Sequence, residues 1–422
     1  MSYITVSASK NLKGEVNISG SKNASLPILA ATIAVNGKTT LNNIPSLSDI
    51  SRMKELLSFA GCEISESGNR HTIISDTISN FEFPHELTGS FRASFIISGA
   101  LLARFGYVKI SMPGGCAIGT RPVDLHLKGL CEMGAELVTD NGYVQMKSKG
   151  LHGADIYLDF PSVGATENLM IAATLAWGKT ELINAATEPE VTDLANFLVR
   201  CGANIQGIGT ENLVIYGKSC LTGCEYTVIP DRIEAGTFML LSAMTQGNIV
   251  INHICSEHLA SVCAKLKEMG ITTEFCEDSA RVYCTDKILP AHIKTMPHPG
   301  FPTDMQSIFA SLMCYAAGTS VITETVFENR FMHLSELLRM NANIRIDGRT
   351  AIIEGSASLT GANVTATDLR SGAGLVLAAM GAKGTTTISN AHYIERGYDD
   401  FTGKLQSLGA DITLVKDVSK HA

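Results

Sequence analysis

Two kinds of apolar segment alternate along the chain. One kind is apolar on nearly every side, as in residues 28–35, and is typical of a helix that is buried all round. The other kind is amphipathic: Met53, Leu56 and Leu57 follow i, i+3, i+4 spacing, which predicts a helix with one face in solvent. Strand-like runs such as residues 39–44 follow the buried helices. The pattern therefore predicts units in which strands alternate with one buried and one exposed helix.

This unit recurs along the sequence. A glycine follows each buried helix at intervals of about 70 residues, and these glycines are Gly37, Gly106, Gly178, Gly247, Gly318 and Gly384. A second mark follows each amphipathic helix, at Gly61, Gly134, Gly202, Gly270, Asn341 and Gly409. Both positions suit a left-handed backbone, which glycine adopts most cheaply and asparagine next. The sequence predicts six copies of one unit, grouped as two globular domains of three units rather than as a solenoid.

Size and composition agree with this division. The chain has 422 residues, which suits two domains of about 150 to 200 residues each. Hydrophobic residues make up 45% and charged residues 18%, which excludes a disordered protein. The net charge of -8 argues against nucleic acid as a partner, so local basic groups must hold any anionic ligand.

The eleven cysteines include no CxxC pair, which indicates a reducing compartment and no zinc site. No apolar stretch reaches membrane-spanning length, and no basic segment followed by an apolar leader precedes the first strand-like run. We therefore expect a cytoplasmic protein with no membrane partner. Nothing in the sequence suggests a metal, an organic cofactor or an obligate protein partner.

Cations stand where four of the six buried helices begin. Lys22, Arg92, Arg232 and Arg370 occupy these positions, although a helix N-terminus already carries partial positive charge. An anion bound among these helix ends would turn the mismatch into an attraction and would use the unpaired N–H groups. Because no acidic residue neighbours Lys22 or Arg92 in sequence, ligand binding is the favoured interpretation there. Around Arg232, with acidic neighbours on both sides, helix capping and structural ion pairs are favoured.

A glycine-rich loop at residues 113–122 contains Cys116. Three glycines within six residues predict a mobile, exposed segment. A thiol five residues from Arg121 can have its pKa drawn toward neutrality, as an acid or a nucleophile requires. The residues alone leave a reactive and an inert Cys116 equally open, because no histidine or asparagine stands beside it in sequence.

Several segments together resemble one family. They are Gly20-Ser21-Lys22-Asn23-Ala24, residues 113–126 around Cys116, Pro230-Asp231-Arg232-Ile233-Glu234, Phe301-Pro302-Thr303-Asp304-Met305-Gln306, residues 325–333 and residues 366–370. These segments are similar to the signatures of the UDP-N-acetylglucosamine 1-carboxyvinyltransferases, and the similarity runs from the first residues to the last. The resemblance implies an α/β fold of two inside-out α/β barrel domains, each of three βαβαββ units. It places residues 22–229 in the first domain, and residues 1–21 with 230–422 in the second.

The resemblance also implies a reaction. The enolpyruvyl group of phosphoenolpyruvate passes to the 3-hydroxyl of UDP-N-acetylglucosamine with release of phosphate, the first committed step of peptidoglycan synthesis. Addition needs a base near the hydroxyl and an acid that protonates the methylene carbon. By resemblance, Asp304 serves the hydroxyl, and Cys116 protonates the carbon and is the residue that fosfomycin alkylates.

The remaining site residues are likewise carried over by resemblance. Lys22, Arg121 and Arg396 correspond to the clamp on phosphate and carboxylate, with Lys22 and Arg396 counted as catalytic. Arg330 and Arg370 are expected to contribute from the second domain. The nucleotide-sugar contacts are expected at Asn23, Arg92, Arg121, Pro122, Val123, Asp124, Leu125, Ser162, Val163, Gly164, Asp304 and Val326.

Two other functions stay open at this point. An enolpyruvylshikimate-phosphate synthase would share the six-unit architecture, but the cysteine loop and Asn23 after Lys22 favour the sugar-nucleotide enzyme. A catalytically silent paralogue could bind the nucleotide sugar and regulate cell-wall synthesis. The joint presence of Lys22, Cys116, Asp304 and Arg396 argues against that alternative.

Overall fold

The computed structural model describes residues 2–89, 91–112, 123–355 and 358–416. These residues form two compact units. The first unit comprises the described residues from 20 to 229, and the second comprises residues 2–19 together with those from 230 to 416. Each unit is described by itself below.

The strands are short, and most contain five residues or fewer. In chain order they are β1 Tyr3–Ser7, β2 Lys13–Asn17, β3 Val35–Asn36, β4 Lys38–Asn42, β5 Glu63–Ser67, β6 Arg70–Ile74, β7 Tyr107–Ser111, β8 Glu136–Asp140, β9 Tyr143–Lys147, β10 Asp155–Tyr157, β11 Lys179–Ile183, β12 Asn204–Gln206, β13 Asn212–Tyr216, β14 Leu221–Thr222, β15 Glu225–Thr227, β16 Asn248–Asn252, β17 Thr272–Cys276, β18 Ser279–Tyr283, β19 His292–Lys294, β20 Thr319–Thr323, β21 Asn343–Asp347, β22 Thr350–Glu354, β23 Asn363–Thr365, β24 Thr385–Ser389 and β25 Ile412–Val415.

Buried and half-exposed helices alternate between these strands. The α-helices are α1 Lys22–Ala31, α2 Ser48–Ala60, α3 His85–Thr88, α4 Ile97–Phe105, α5 Asp124–Glu132, α6 Val163–Ala173, α7 Pro189–Arg200, α8 Arg232–Met244, α9 Ala260–Glu268, α10 Gln306–Met313, α11 Met332–Arg339, α12 Leu369–Gly381 and α13 Phe401–Ser407. Short 3-10 helices cover Thr32–Ala34, Arg92–Ile96, Ser256–Leu259, Thr303–Met305 and Ala391–Arg396.

Six sheets carry the repeat and are built alike. In each, a central five-residue strand pairs in parallel with a short edge strand on one side and antiparallel with a pair of strands on the other; that pair is a hairpin in the first five repeats, whereas β1 and β25 form it in the sixth. In the second repeat the parallel edge is a single bridge between Glu82 and Lys109. The strand orders are β15-β4-β6-β5, β7-β9-β8 and β10-β11-β13-β12 in the first unit, and β2-β16-β18-β17, β19-β20-β22-β21 and β23-β24-β1-β25 in the second. The central strands β4, β7, β11, β16, β20 and β24 number the repeats from one to six.

Strands from distant parts of the chain complete both units. In the first unit β15, at the end of the third repeat, returns to pair with β4 of the first repeat. In the second unit β1 lies between β24 and β25, and β2 pairs with β16. The three repeats of each unit are thereby linked in a cycle.

The cores consist of helices packed inside the sheets. Helices α1, α4 and α6 contact one another in the first unit, and α8, α10 and α12 do so in the second. Their side chains are buried nearly all round, whereas the hairpin strands β5, β17 and β21 are largely exposed. Backbones approach closely here: a Cβ at Gly374 would lie 2.9 Å from the Ser307 carbonyl oxygen. Helices inside and sheets outside confirm the predicted inside-out α/β architecture.

The residues that follow the amphipathic helices have positive φ, as the sequence predicts. Gly61, Gly134, Gly202, Gly270, Asn341 and Gly409 all have positive φ. The glycines that follow the buried helices obey the same rule with one exception. At Gly247 the prediction is wrong, because the preceding Gln246 has the positive φ of 52° instead.

Candidate active site

Asp304 lies between two buried arginines of the second unit. Its Oδ1 accepts a hydrogen bond from Arg330 Nη2 at 2.8 Å, and its Oδ2 accepts one from Arg370 Nε at 3.3 Å. The side chains of Arg330 and Arg370 are 4% and 1% exposed, whereas that of Asp304 is 28% exposed. Two buried guanidinium groups therefore bind the carboxylate on its inner side, while part of the carboxylate stays open to solvent.

The arginines control the charge of this carboxylate. Burial alone raises the pKa of Asp304, but the charges of Arg330 and Arg370, with a further contribution from Arg232, hold the pKa well below its ordinary value. Asp304 is therefore ionised throughout the neutral range. While both pairs are in place it is also a weak base, because protonation would leave two buried guanidinium groups uncompensated.

Both guanidinium groups retain unused donors. Among the described residues, no partner accepts a hydrogen bond from Arg330 Nε or Arg370 Nη2, although both atoms are buried. Arg370 stands 5.1 Å from the centroid of the Tyr398 ring, and its Nη1 donates to the Gly397 carbonyl at 3.4 Å. Planar groups with spare donors are suited to binding phosphate or carboxylate oxygens.

The other predicted residues of the second unit lie on nearby segments of chain. Arg396 is the last residue of the 3-10 helix Ala391–Arg396, which directly precedes Gly397. Val326 follows β20, and its N–H donates to Glu324 Oε1 at 2.8 Å. Arg232 is the first residue of α8, whose N-cap is Asp231. As predicted around Arg232, Asp231 caps its helix; the neighbouring Glu234 forms its ion pair with Lys404 at 2.7 Å.

In the first unit Lys22 has an acidic partner that sequence proximity did not reveal. Lys22 Nζ lies 2.7 Å from Asp49 Oδ2, and the two side chains are 8% and 4% exposed. Asp49 belongs to the first turn of α2. The pairing offsets the cation at the start of α1, where the helix dipole disfavours it. Asn23, the next residue, is half-buried.

His126 joins the inner helices of the first unit. Asn168 Oδ1 accepts from Gly99 N at 2.8 Å, so Asn168 Nδ2 is the donor that faces His126 Nδ1 at 3.1 Å. The imidazole therefore accepts at Nδ1 and carries its proton on Nε2. Burial, with a smaller contribution from the charge of Arg92, lowers the pKa of His126 to about 3.

Several predicted nucleotide-sugar contacts of this unit lie at the start of α6, which approaches that histidine, or at the start of α5, which carries it. The Ser162 hydroxyl caps α6 by accepting from Ala165 N at 3.4 Å. A Cβ at Gly164 would lie 3.4 Å from His126 Nε2, so glycine lets the ring approach the helix start. Val123 is buried, and Asp124 and Leu125 begin α5. The predicted residues Cys116, Arg121 and Pro122 lie outside the described residues.

Known proteins resemble this chain along its length. A family model described as EPSP synthase (3-phosphoshikimate 1-carboxyvinyltransferase) matches residues 6–405. UDP-N-acetylglucosamine 1-carboxyvinyltransferase 2 of Staphylococcus saprophyticus subsp. saprophyticus is 47% identical over 416 residues, which cover 98% of this chain and 99% of that protein. UDP-N-acetylglucosamine 1-carboxyvinyltransferase 1 of Caldanaerobacter subterraneus subsp. tengcongensis is 52% identical over 407 residues, which cover 96% and 98%.

The chain belongs to the UDP-N-acetylglucosamine 1-carboxyvinyltransferase family. The predicted resemblance is thereby confirmed. Solved structures agree with the fold: the enolpyruvyl transferase NikO from Streptomyces tendae matches with a TM-score of 0.91 and 26% identity over 99% of both chains. EPSP synthase from Acinetobacter baumannii matches with a TM-score of 0.78 at 18% identity over 98% of this chain and 100% of that one, and so supports the fold alone.

The described part of the chain has neither a membrane-spanning helix nor a metal-binding cluster. None of its helices combines the length and the apolar character needed to cross a bilayer. No group of three or more His, Cys, Asp or Glu side chains there is arranged to hold a metal ion.

Sequence reasoning missed three residues around the predicted site of this family member. Asp49 was missed because 27 positions separate it from Lys22, and nothing in an amphipathic helix marks one acidic residue as a partner. Tyr398, buried against Arg370, was missed because aromatic residues are common in cores. Glu324 left a readable signal in the sequence, because it directly follows a strand at a position where three other repeats have an asparagine.

The buried His126 predicts an acid-sensitive first unit. Below about pH 6.5 the unfolded chain takes up a proton that the folded protein refuses until about pH 3, so the free energy of unfolding falls as the pH falls through this window. His126→Gln is expected to reduce this slope by up to about 1.4 kcal/mol per pH unit, measured by urea unfolding between pH 6 and 4. Burial also lowers the pKa of His333 to about 4, so a pH-dependent slope remains in His126→Gln, and the test compares the slope of each variant with that of the wild type. The exposed His292 supplies the control His292→Gln, and an unchanged slope in His126→Gln would refute the assignment.

Proposed function

We propose that this protein transfers the enolpyruvyl group of phosphoenolpyruvate to the 3-hydroxyl of UDP-N-acetylglucosamine and releases phosphate. The observation that carries the proposal is the 52% identity, over 96% of the chain, to an enzyme named for this reaction. The reaction is the first committed step of peptidoglycan synthesis, and its substrates are small phosphorylated molecules. We place it in the cytoplasm, where both substrates are made, and we assign the two compact units as its two domains.

The chemistry assigns separate tasks to Asp304 and Cys116. In the addition step the sugar oxygen bonds to carbon 2 of phosphoenolpyruvate, Asp304 takes the hydroxyl proton, and Cys116 gives a proton to the methylene carbon. In the elimination step the methyl group returns a proton to the Cys116 thiolate, the C–O bond to phosphate breaks, and the proton held by Asp304 leaves with the phosphate, which regenerates the double bond and both side chains. Lys22, Arg121 and Arg396 bind the phosphate and carboxylate charges.

The two arginine pairs explain how Asp304 becomes basic when it is needed. With Arg330 and Arg370 both donating to it, the carboxylate is a poor proton acceptor. An anionic substrate that engages the spare donors of these guanidinium groups competes for their charge and lessens their hold on Asp304. Asp304 thus becomes a stronger base once the anionic substrate is bound and is a weak base before that.

The remaining residues bind and orient the substrates. Asn23, Arg92, residues 121–125, Ser162, Val163 and Gly164 are assigned to the nucleotide sugar in the first domain. Val326 is assigned to it in the second, where Arg330 and Arg370 support Asp304. The start of α6 offers unpaired N–H groups beside Gly164, which suits an anionic diphosphate.

A substrate-pair assay tests the proposal. Phosphate release from phosphoenolpyruvate is measured with UDP-N-acetylglucosamine and, separately, with shikimate 3-phosphate. We expect release with the nucleotide sugar alone. Release with shikimate 3-phosphate alone would make the protein the synthase that the family model is named for, and release with neither would favour a regulatory paralogue.

A further inference from the structure

The residue after the central strand has a repeated structural role. In the first, third, fourth and sixth repeats it is Asn43, Asn184, His253 or Asn390, with φ of 62°, 59°, 59° and 59°. Asparagine tolerates this left-handed conformation better than most residues. The position therefore ends the strand in the same way in four copies of the unit.

In two of these repeats the side chain ties the parallel strand pair together. Asn43 Nδ2 donates to the Val228 carbonyl at 2.9 Å, and Asn184 Nδ2 donates to the Leu158 carbonyl at 2.7 Å. Val228 directly follows β15, and Leu158 directly follows β10. An amide at this position thus joins the ends of neighbouring strands, which is a purely structural task.

The fifth repeat departs from this rule at Glu324. Glu324 follows β20 as Asn184 follows β11, but it has no positive φ, and it is 1% exposed. Its Oε1 accepts from Thr295 Oγ1 at 2.8 Å, Val326 N at 2.8 Å and Phe327 N at 3.1 Å. Its Oε2 accepts from Thr303 Oγ1 at 2.9 Å. The side chain that donates in the first and third repeats is here an acceptor of four hydrogen bonds.

One of these bonds leads to the proposed base. Because Thr303 gives its single hydroxyl proton to Glu324, only its lone pairs face Arg330, and Arg330 Nη1 donates to them at 2.9 Å. Arg330 Nη2 then donates to Asp304 Oδ1 at 2.8 Å. Arg330 therefore donates in two directions, through Thr303 to Glu324 on one side and to Asp304 on the other, so the two carboxylates hold the guanidinium group between them.

The other bonds lead to the proposed nucleotide-sugar contact. The N–H groups of Val326 and Phe327 both point at Glu324 Oε1, which shapes the turn after β20. Thr295 closes the arrangement, because it donates to Glu324 and also accepts from Thr325 N at 2.9 Å. A single buried carboxylate thus connects the turn that carries Val326 with the turn that carries Asp304.

We propose that Glu324 is a positioning residue for enolpyruvyl transfer, which fixes Asp304 through Thr303 and Arg330 and fixes Val326 through its backbone. This inference rests on the proposed function. Glu324 touches neither substrate in this assignment and acts only through its neighbours. Where the first and third repeats use an asparagine to join strand ends, this carboxylate couples the base to the sugar-binding turn.

Four variants separate positioning from mere stability, each measured for kcat, for KM with UDP-N-acetylglucosamine and for Tm. Glu324→Ala removes the link to Asp304 through Thr303 and also the hydrogen bonds that shape the Val326 turn. It is expected to lower kcat about 100-fold and raise KM about 10-fold, as small misplacements of reacting groups do. Thr303→Val removes only the link to Asp304, so kcat falls about 10-fold while KM stays within twofold. In Glu324→Gln the remaining oxygen can still accept from Thr295, Val326 and Phe327, so KM is retained and kcat falls less than in Glu324→Ala.

The matched control is Asn184→Ala, at the same position of the third repeat. It removes one structural hydrogen bond, so it is expected to lower Tm and to leave kcat and KM within twofold. If Glu324→Gln and Thr303→Val behave like Asn184→Ala, Glu324 is merely structural and the inference fails, whether or not Glu324→Ala folds. A wild-type protein that released no phosphate with UDP-N-acetylglucosamine would overturn the proposed function instead.

Discussion

Replacement of Asp304 by asparagine is expected to lower kcat by at least about 1,000-fold, which lies within the range of a lost general base. Asparagine has nearly the shape of aspartate and can still accept one hydrogen bond from an arginine, but it cannot take a proton from the sugar hydroxyl. The loss should therefore fall on kcat, with the KM of each substrate changed little. Steady-state phosphate release measures it.

The same change should also destabilise the second unit. Arg330 and Arg370 are buried, so loss of the carboxylate leaves their charges uncompensated, at a cost of about 2 kcal/mol given that Asp304 is partly exposed. Added inorganic phosphate should restore part of the lost Tm by taking the place of the carboxylate. Asp278→Asn, the same substitution at an exposed residue, is the control and should change neither activity nor Tm. Turnover of Asp304→Asn within tenfold of wild type would remove Asp304 from the role of base.

Cys116→Ser is expected to reduce turnover by two to three orders of magnitude, as loss of a positioned general acid does, about 100- to 1,000-fold. A hydroxyl group is far too weak an acid to protonate the methylene carbon at neutral pH, whereas a thiol is a much stronger acid, and a nearby cation strengthens it further. The fold should be unaffected, because serine is nearly isosteric with cysteine. Rapid-quench analysis should show that the addition step, rather than substrate binding, has slowed.

Fosfomycin provides an independent readout of the same thiol. Peptide mapping of the treated wild-type protein should find the label on Cys116 alone, and none in Cys116→Ser. Cys276 is an exposed cysteine of the second unit, so Cys276→Ser is the matched control and should keep both activity and labelling. Label on Cys276, or near-normal turnover of Cys116→Ser, would contradict the assignment.

The repeat made much of this fold predictable from sequence. Each buried helix and each left-handed helix end is a local feature, set by a few adjacent side chains, so the periodicity revealed them before any contact was known. The four helix starts predicted at Lys22, Arg92, Arg232 and Arg370 agree to within one residue with the starts of α1, the 3-10 helix Arg92–Ile96, α8 and α12. Only at Gly247 did the backbone choose a neighbouring residue.

What escaped prediction depends on contacts between distant parts of the chain. A cation at a helix start indicates a missing anion, but it does not say whether a substrate or a side chain supplies it. For Lys22 the structure supplies Asp49, and for Arg370 it supplies Asp304 from another repeat. Glu324 could have been found by aligning the six repeats at the end of the central strand, where three of the other five repeats have asparagine and Glu324 is the one acidic residue. Its four hydrogen-bond donors could not have been found in this way, because they lie on three separate segments, at Thr295, at Thr303 and at residues 326–327, which meet only in the folded protein.

The position of β1 has a consequence for synthesis on the ribosome. The strands that close the first unit have all been synthesised once residue 227 is translated, so that unit can complete its sheets early. Tyr3–Ser7 must wait for Thr385–Ser389 and Ile412–Val415, its two neighbours, through almost the whole of elongation. Ile4 and Val6, which are buried in the finished protein, therefore wait for their partner strands through almost all of synthesis. During that time β1 is a segment to which a chaperone can bind.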